Sequence, residues 1–303
     1  MKQEYNLKAI RQDFKESGVF HTSLKLANKF KQYAPKNVRQ VYDPTCGVGS
    51  LLSVFDDDVK KYGQELDPDQ LKIAEKNLVN FTGACGDTLA TPHFIEKKFD
   101  FIIANPPFSV KWEPKTDERF IDCPTLPTAG RADYAFLLHI LHMLDDNGTA
   151  AVVNAPGVLY RGAREGKIRK WFVQNNFIDR IVSIPENSFV DTSIPTVLIV
   201  LKKKKNNTNI IFEDSEKNET KTVPLEEIEK NDFNLSLSLY IKEKQVQKVK
   251  EDPWHLEMES RKEFVSNLKK DLNLSKMVCV LEGYDFDQYL TMVEEVINSY
   301  RRK

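Results

Sequence analysis

The rhythm of apolar and polar positions changes twice along this chain. Between about residue 38 and residue 203, short β-rich runs alternate with segments of helical spacing, the pattern of a parallel α/β sheet. The runs that read as strands are residues 40–42, 61–64, 100–104, 149–153, 178–184 and 196–201. Several are continuously apolar, as strands covered on both faces are. Asp67-Pro68 opens a helix on which Leu71, Ala74 and Leu78 fall at helical spacing, with Pro68 suited to its first turn. Residues 134–144 give a second helix, which Gly148 is expected to end just before a strand. The last two strand runs are separated by Pro185, Asn187 and Pro195, too short a gap for a crossover helix. A hairpin follows, with an antiparallel final strand at one edge of the sheet. After residue 201 the chain becomes rich in Lys and Glu. At its end, Tyr289, Val293, Val296 and Tyr300 mark one apolar stripe of a helix.

Composition narrows the class. With 303 residues, 41% hydrophobic and 10% aromatic, the chain has the makings of a folded core and is not disordered throughout. The 44 Lys and Arg balance 45 Asp and Glu. That excludes a protein coated in basic charge but leaves room for a locally basic groove. Cys46, Cys85, Cys123 and Cys279 are scattered, without the short spacings that clasp zinc or the density of a disulfide framework. The start lacks the apolar stretch of a signal peptide, and residues 136–144 are too few to span a bilayer. The expectation is a cytoplasmic protein with no membrane segment and no metal.

The strongest local signal is Asp43-Pro44-Thr45-Cys46-Gly47-Val48-Gly49-Ser50, placed at the end of the first strand and expected to open into a helix. Glycines there allow close backbone approach to a ligand, and a helix start would offer unpaired N–H donors. The loop lacks the lysine of a phosphate-binding loop and the third glycine of a dinucleotide fingerprint. Its company sharpens it. Glu65 ends the second strand, where an acid can take both hydroxyls of a ribose. Gly86-Asp87 follows the third, placed to meet an adenine ring. The fourth ends in Asn105-Pro106-Pro107-Phe108, a stiff turn that offers an amide, a carbonyl and an aromatic face. All stand at carboxyl ends of parallel strands, where open α/β sheets bind ligands.

These two motifs together resemble those of N6-adenine DNA methyltransferases that use S-adenosylmethionine. More closely, the chain resembles modification subunits of type I restriction–modification systems. The likeness runs from about residue 17 to 205 and includes Arg131-Ala132-Asp133-Tyr134-Ala135-Phe136, Gly157-Val158-Leu159-Tyr160-Arg161-Gly162, Pro185-Glu186-Asn187-Ser188-Phe189 and Ile194-Pro195-Thr196. It implies a Rossmann-like methyltransferase with a mostly parallel seven-stranded sheet and its last strand antiparallel. Residues 1–37 would be a helical segment closing over the cofactor, 38–205 the catalytic core, and 206–303 an extension, mainly helical from about 255.

By that resemblance Phe20, His21 and Thr22 lie over the methionine end of the cofactor, with Ser23 standing where the family usually carries proline. Asp43, Gly47 and Gly49 would hold its amino-acid part, Glu65 its ribose and Asp87 its adenine amine, with Thr45, Cys46 and Asn105 also among the cofactor-binding residues. Asn105, Pro106, Pro107 and Phe108 would be catalytic. The Asn105 amide oxygen and Pro106 carbonyl would accept the two N–H bonds of the adenine amine, and Phe108 would stack on the flipped base. The implied partners are DNA and a specificity subunit, since no region long enough to read a DNA target stands after residue 205. Type I modification subunits also carry a large helical domain before the core, and with the likeness beginning near residue 17 that domain is expected to be absent. A protein glutamine or an RNA base suits the same motif, and a catalytically idle partner subunit or decoy is the rival outside enzymes. Two basic clusters, residues 202–205 and Arg161, Arg164, Lys167, Arg169 and Lys170, are either phosphate contacts or solvated faces. Residues 109–133, with Trp112, are placed to form a loop over the substrate.

Overall fold

The computed structural model describes residues 23–185, 195–241, 262 and 285–301. The chain divides into two compact units at Lys242 and Glu243. In the first, helix α1 (Leu24–Lys31) is capped by Ser23, whose hydroxyl accepts the Leu26 N–H at 3.4 Å, and buries Leu26, Ala27 and Phe30. Nine strands follow: β1 (Gln40–Asp43), β2 (Lys60–Glu65), β3 (Phe81–Cys85), β4 (Phe99–Ala104), β5 (Leu144–Asn154), β6 (Ile178–Ile184), β7 (Thr196–Lys202), β8 (Ile210–Asp214) and β9 (Glu219–Val223). Between them lie α2 (Pro68–Asn77), α3 (Asp133–Met143) and α4 (Ala163–Gln174), and after β9 the short α5 (Leu225–Lys230) and α6 (Leu237–Tyr240).

The sheet order is β3-β2-β1-β4-β5-β7-β6-β8-β9. The chain winds outward from β1 through β2 to β3, then crosses back to place β4 on the other side of β1. That reversal leaves a crevice at the strand ends between β1 and β4. The alternation of β4 splits the core in two. Ile102 and Ala104 face a cluster with Tyr42, Phe99 and Leu138, while Phe101 and Ile103 face one with Phe30, Val41 and Leu52. Both faces of β4 and β7 are buried, which is why these segments read as unbroken apolar runs.

Several expectations need correction. The sheet has nine strands rather than seven, because β8 and β9 continue it beyond residue 205. Strand β3 has no apolar run to announce it. Its burial is mixed, and parallel pairing with β2 holds it in place. The hairpin is as expected, β6 running antiparallel to β7 with Ile184 opposite Thr196. Yet β7 is interior, wedged between β5 and β6, and not an edge. Gly148 ends no helix. It lies within β5, packed so tightly that a Cβ would fall 2.8 Å from the Phe99 carbonyl. The glycine loop opens not into an α-helix but into a single 3-10 turn, Leu52–Val54, because the chain must return at once to start β2 beside β1.

In the second unit, α7 (Phe286–Arg301) is helical as its stripe predicts, with Tyr289 37% exposed and Val293 half-buried. The side chains of Val296 and Tyr300, and residues 255–284 apart from Lys262, lie outside the described residues. Among the described residues no helix is long and apolar enough to cross a membrane, and no cluster of side chains has the makings of a metal site.

Candidate cofactor and acceptor site

A cavity of about 330 Å³ opens at the strand ends around the β1–β4 crevice. Strand β1 runs into Asp43, which is 1% exposed and whose Oδ1 accepts the Thr45 N–H at 2.9 Å. Burial, reinforced by the nearby Glu65 charge, pushes the Asp43 carboxyl up to about 8. Burial likewise pushes the Cys46 thiol far above its usual range. The loop then turns through Gly47 and Gly49, at φ +52° and +86°. At Gly49 a Cβ would also lie 2.7 Å from Leu78 of the β2–β3 connection, so both backbone and packing demand glycine.

Glu65, at the end of β2, reaches back to this loop. Its Oε2 accepts the Gly47 N–H at 2.7 Å and its Oε1 the Asp67 N–H at 3.0 Å. Each oxygen keeps a second lone pair, so a pair of neighbouring hydroxyls could be accepted without breaking either bond. Asp87, exposed just beyond β3, fixes its own turn by accepting N–H bonds from Leu89 (2.8 Å) and Ala90 (3.2 Å).

On the opposite wall stand Asn105 and Pro107 from the end of β4, with Val110, Trp112 and Phe136 adding an apolar lining. The cavity thus brings together Asp43, Thr45, Cys46, Gly47, Glu65, Asp87, Asn105 and Pro107. Gly49, Pro106 and Phe108 are not among its lining residues. Pro106 is buried, and Phe108 is half-buried against the core cluster around Phe30 and Val41. Phe20, His21 and Thr22 lie outside the described residues.

Two supports had gone unread in the sequence. Gln64, wholly buried in β2, donates to the carbonyls of Gly86 (3.2 Å) and Thr91 (2.9 Å) and accepts the His93 N–H. The available signal was an amide side chain directly before Glu65 at the strand's end. Arg119, 5% exposed, donates to the carbonyls of Thr88 (3.0 Å) and Leu89 (2.7 Å) and pairs with Asp117 at 2.6 Å. It also faces His139 Nδ1 at 3.3 Å. Arginine can only donate, so Nδ1 accepts, and His139 Nε2 carries its hydrogen toward the Tyr42 hydroxyl at 3.4 Å. Burial holds the His139 pKa well below the usual value, in keeping with that neutral ring. The segment 109–133 is closed at its neck by Ala132 N–H to Val110 O and Trp112 N–H to Ala129 O, each 2.9 Å.

The basic clusters resolve differently. Arg169 is buried, donating to the carbonyls of Phe233 and Arg161 at 2.7 Å, and Arg161 is largely turned inward. Only Arg164, Lys167 and Lys170 of that group are exposed. In the lysine run, Lys202 pairs with Asp179 at 3.1 Å, and Lys203 and Lys205 donate to carbonyls. Burial lowers Lys205 to about 8.

This is an open α/β fold with a ligand crevice at its switch point and an Asn-Pro-Pro-Phe turn on one wall. The family model of the N-6 DNA methylases matches residues 3–224, and the chain belongs to that family, whose methyl donor is S-adenosylmethionine. It is 35% identical over 230 residues to the type I restriction enzyme MpnII methylase subunit of Mycoplasma pneumoniae, covering 65% of this chain and 42% of that one. It is 28% identical over 214 residues to the MjaIX methylase subunit of Methanocaldococcus jannaschii, covering 63% and 38%. Among solved structures, the type I restriction–modification methyltransferase subunit of Streptococcus thermophilus superposes with a TM-score of 0.68 at 30% identity, over 74% of this chain and 59% of that one. The matched part is thus less than half the length of either curated relative.

Proposed function

We propose that the chain transfers a methyl group from S-adenosylmethionine to the N6 amine of adenine in DNA, as the modification subunit of a restriction–modification system in which a specificity subunit selects the site. The observation that carries this reading is one cavity with Asp43, Glu65 and Asp87 on one side and the Asn105–Pro107 turn on the other. Its volume falls within the usual range for small-molecule sites. The order of acids suits the cofactor: Asp43 and the Gly47 backbone toward the amino-acid part, Glu65 toward the ribose hydroxyls, Asp87 toward the adenine amine. Residues Phe20, His21 and Thr22 would cover the methionine end.

When bound, the cofactor supplies a methyl on a sulfonium, an electrophile whose leaving group needs no proton. The protein's task is the weak nucleophile, an amine whose lone pair is delocalised into the adenine ring. Asn105 Oδ1 and the Pro106 carbonyl accept the two N–H bonds, which favours a pyramidal nitrogen with its lone pair aimed along the transfer line. Pro106 and Pro107 lack N–H donors and stiffen the turn, so this geometry is set before the base arrives. The target amine is buried in duplex DNA, so the base must swing out, and Phe108 offers a ring to stack on it. The proton surplus on the methylated nitrogen leaves to solvent.

Labelled methyl transfer from S-adenosylmethionine, offered DNA, protein and RNA with and without the specificity subunit, tests this. Label in DNA as N6-methyladenine is expected. Label in protein or RNA alone would overturn the acceptor assignment, and none in any would leave the idle-subunit reading.

A further inference from the structure

The turn after the acceptor motif is strained. Ser109, next to Phe108, sits at φ +53°, a left-handed conformation that serine adopts rarely. The conformation is held from outside the turn. Asp133, 2% exposed at the start of α3, accepts the Ser109 N–H at 3.2 Å and its hydroxyl at 3.4 Å. Arg161 completes the brace: Nη2 donates to the same Ser109 hydroxyl at 3.4 Å, while Nη1 lies 3.6 Å from Asp133 and 3.3 Å from Glu165. Arg131 closes the cluster from its exposed side, 3.8 Å from the other Glu165 oxygen. Two carboxylates face two guanidinium groups, so the cluster balances its own charge.

A second feature shows that room is made for Arg161. Gly157, buried in the 3-10 turn Pro156–Leu159, lies under the guanidinium, where an added Cβ would come within 2.4 Å of Nε and Nη2. These contacts turn Arg161 inward, which fits a brace better than a phosphate contact.

We infer that Arg161 is a positioning residue for methyl transfer, fixing Ser109 through Asp133 and so setting the direction of the Asn105–Phe108 turn toward the acceptor base. The inference rests on the proposed methyltransferase reading. It predicts a defect confined to the transfer step, because none of the bracing residues lines the cofactor cavity.

Two variants test it in the complex with the specificity subunit. Arg161→Lys keeps the charge but loses the planar fork. Gly157→Ala leaves Arg161 in the sequence and displaces its guanidinium, the movable end of a flexible side chain, so the fold should survive. Both should lower the single-turnover rate of methyl transfer to DNA by roughly tenfold to a hundredfold. Both should leave S-adenosylmethionine affinity by calorimetry as in the unaltered protein and lower the melting temperature only modestly, the two buried carboxylates losing part of their pairing. Normal rates in both variants overturn the inference while leaving the methyltransferase reading intact. Cofactor affinity and melting temperature that fall in step with the rate overturn it too, since the role is then general support. An unaltered complex that methylates no DNA overturns the reading and the inference together.

Discussion

On the β1–β3 side of the cavity the carboxylates proposed to meet the cofactor accept backbone N–H bonds, Glu65 bridging Gly47 and Asp67, Asp87 capping Leu89 and Ala90. On the β4 side the Asn105 turn is held through side chains distant in sequence, Ser109 by Asp133 and Arg161. The proposed cofactor side is held by single side chains on backbone groups, Glu65 across from β2 to the Gly47 loop and Asp87 within its own turn. The acceptor side is a braced corner, suited to a reaction that depends on the aim of one amide oxygen. Arg119 belongs to both, since it lies within the acceptor-side excursion and ties down the cofactor-side carbonyls of Thr88 and Leu89.

The contrast can be broken deliberately. Asn105→Ala should lower single-turnover transfer by roughly a hundredfold to a thousandfold with cofactor affinity unchanged in calorimetry. A variant that methylates DNA normally would refute the acceptor assignment. Arg119→Ala should erase the distinction, because it orphans two carbonyls and the Asp117 charge together. Urea denaturation is expected to register a loss of about 3 kcal/mol, and an unchanged midpoint would show that Arg119 is no linchpin. Glu65→Ala acts on the cofactor side alone. It should weaken cofactor binding by about 1.5–3 kcal/mol, and equal affinity would remove the ribose assignment.

The smallest effect concerns pH. The Asp43 carboxyl is raised to about 8 in the fold against about 3.9 in an unfolded chain. A raised carboxyl contributes stability that is full below the unfolded value and is lost as pH rises through about 8. A cationic ammonium beside it favours the ionised form, so cofactor binding expels a proton. Affinity should therefore rise with pH, by at most about tenfold per unit, and level off above about 8. Calorimetry in two buffers of different ionisation enthalpy reads the proton directly, and its absence would place the ammonium elsewhere.

What the sequence disclosed follows the same divide. The glycine loop, Glu65 and the Asn-Pro-Pro-Phe turn were legible because each is a short pattern at the end of a strand, and Asp87 was legible from the Gly86-Asp87 turn itself although the strand before it carries no apolar run. The expected helix after Gly49 was not there, because the distance back to β2 leaves room for one 3-10 turn only. Strand β3 was hidden by its mixed burial, β9 by the polar side chains that an edge strand shows to water, and the interior β8 by the Lys- and Asn-rich stretch before it. Arg161 and Arg169 read as phosphate contacts or a solvated basic face, and only the tertiary structure turns them inward. Arg119 gave little local signal, because apart from Asp117 the groups it holds, the carbonyls of Thr88 and Leu89, lie far away in the sequence.

The interior place of β7 bears on how the chain assembles. It alone joins the β1–β5 ladder to β6, β8 and β9, pairing with β5 from Thr149 to Asn154 and with β6 from Ile178 to Ile184. Until residues 196–202 arrive, β5 and β6 each present an open row of backbone donors and acceptors, a template for any other extended chain. Pulse-labelled hydrogen exchange should then show protection at β5 and β6 completing together, in the same phase as β7, and independent early protection of β6 would contradict this order. During synthesis β5 therefore keeps an open edge and β6 has no partner until the seventh strand emerges, since β8 and β9 follow it in the chain, and the interval before that closure is when a second nascent copy could take the empty slot.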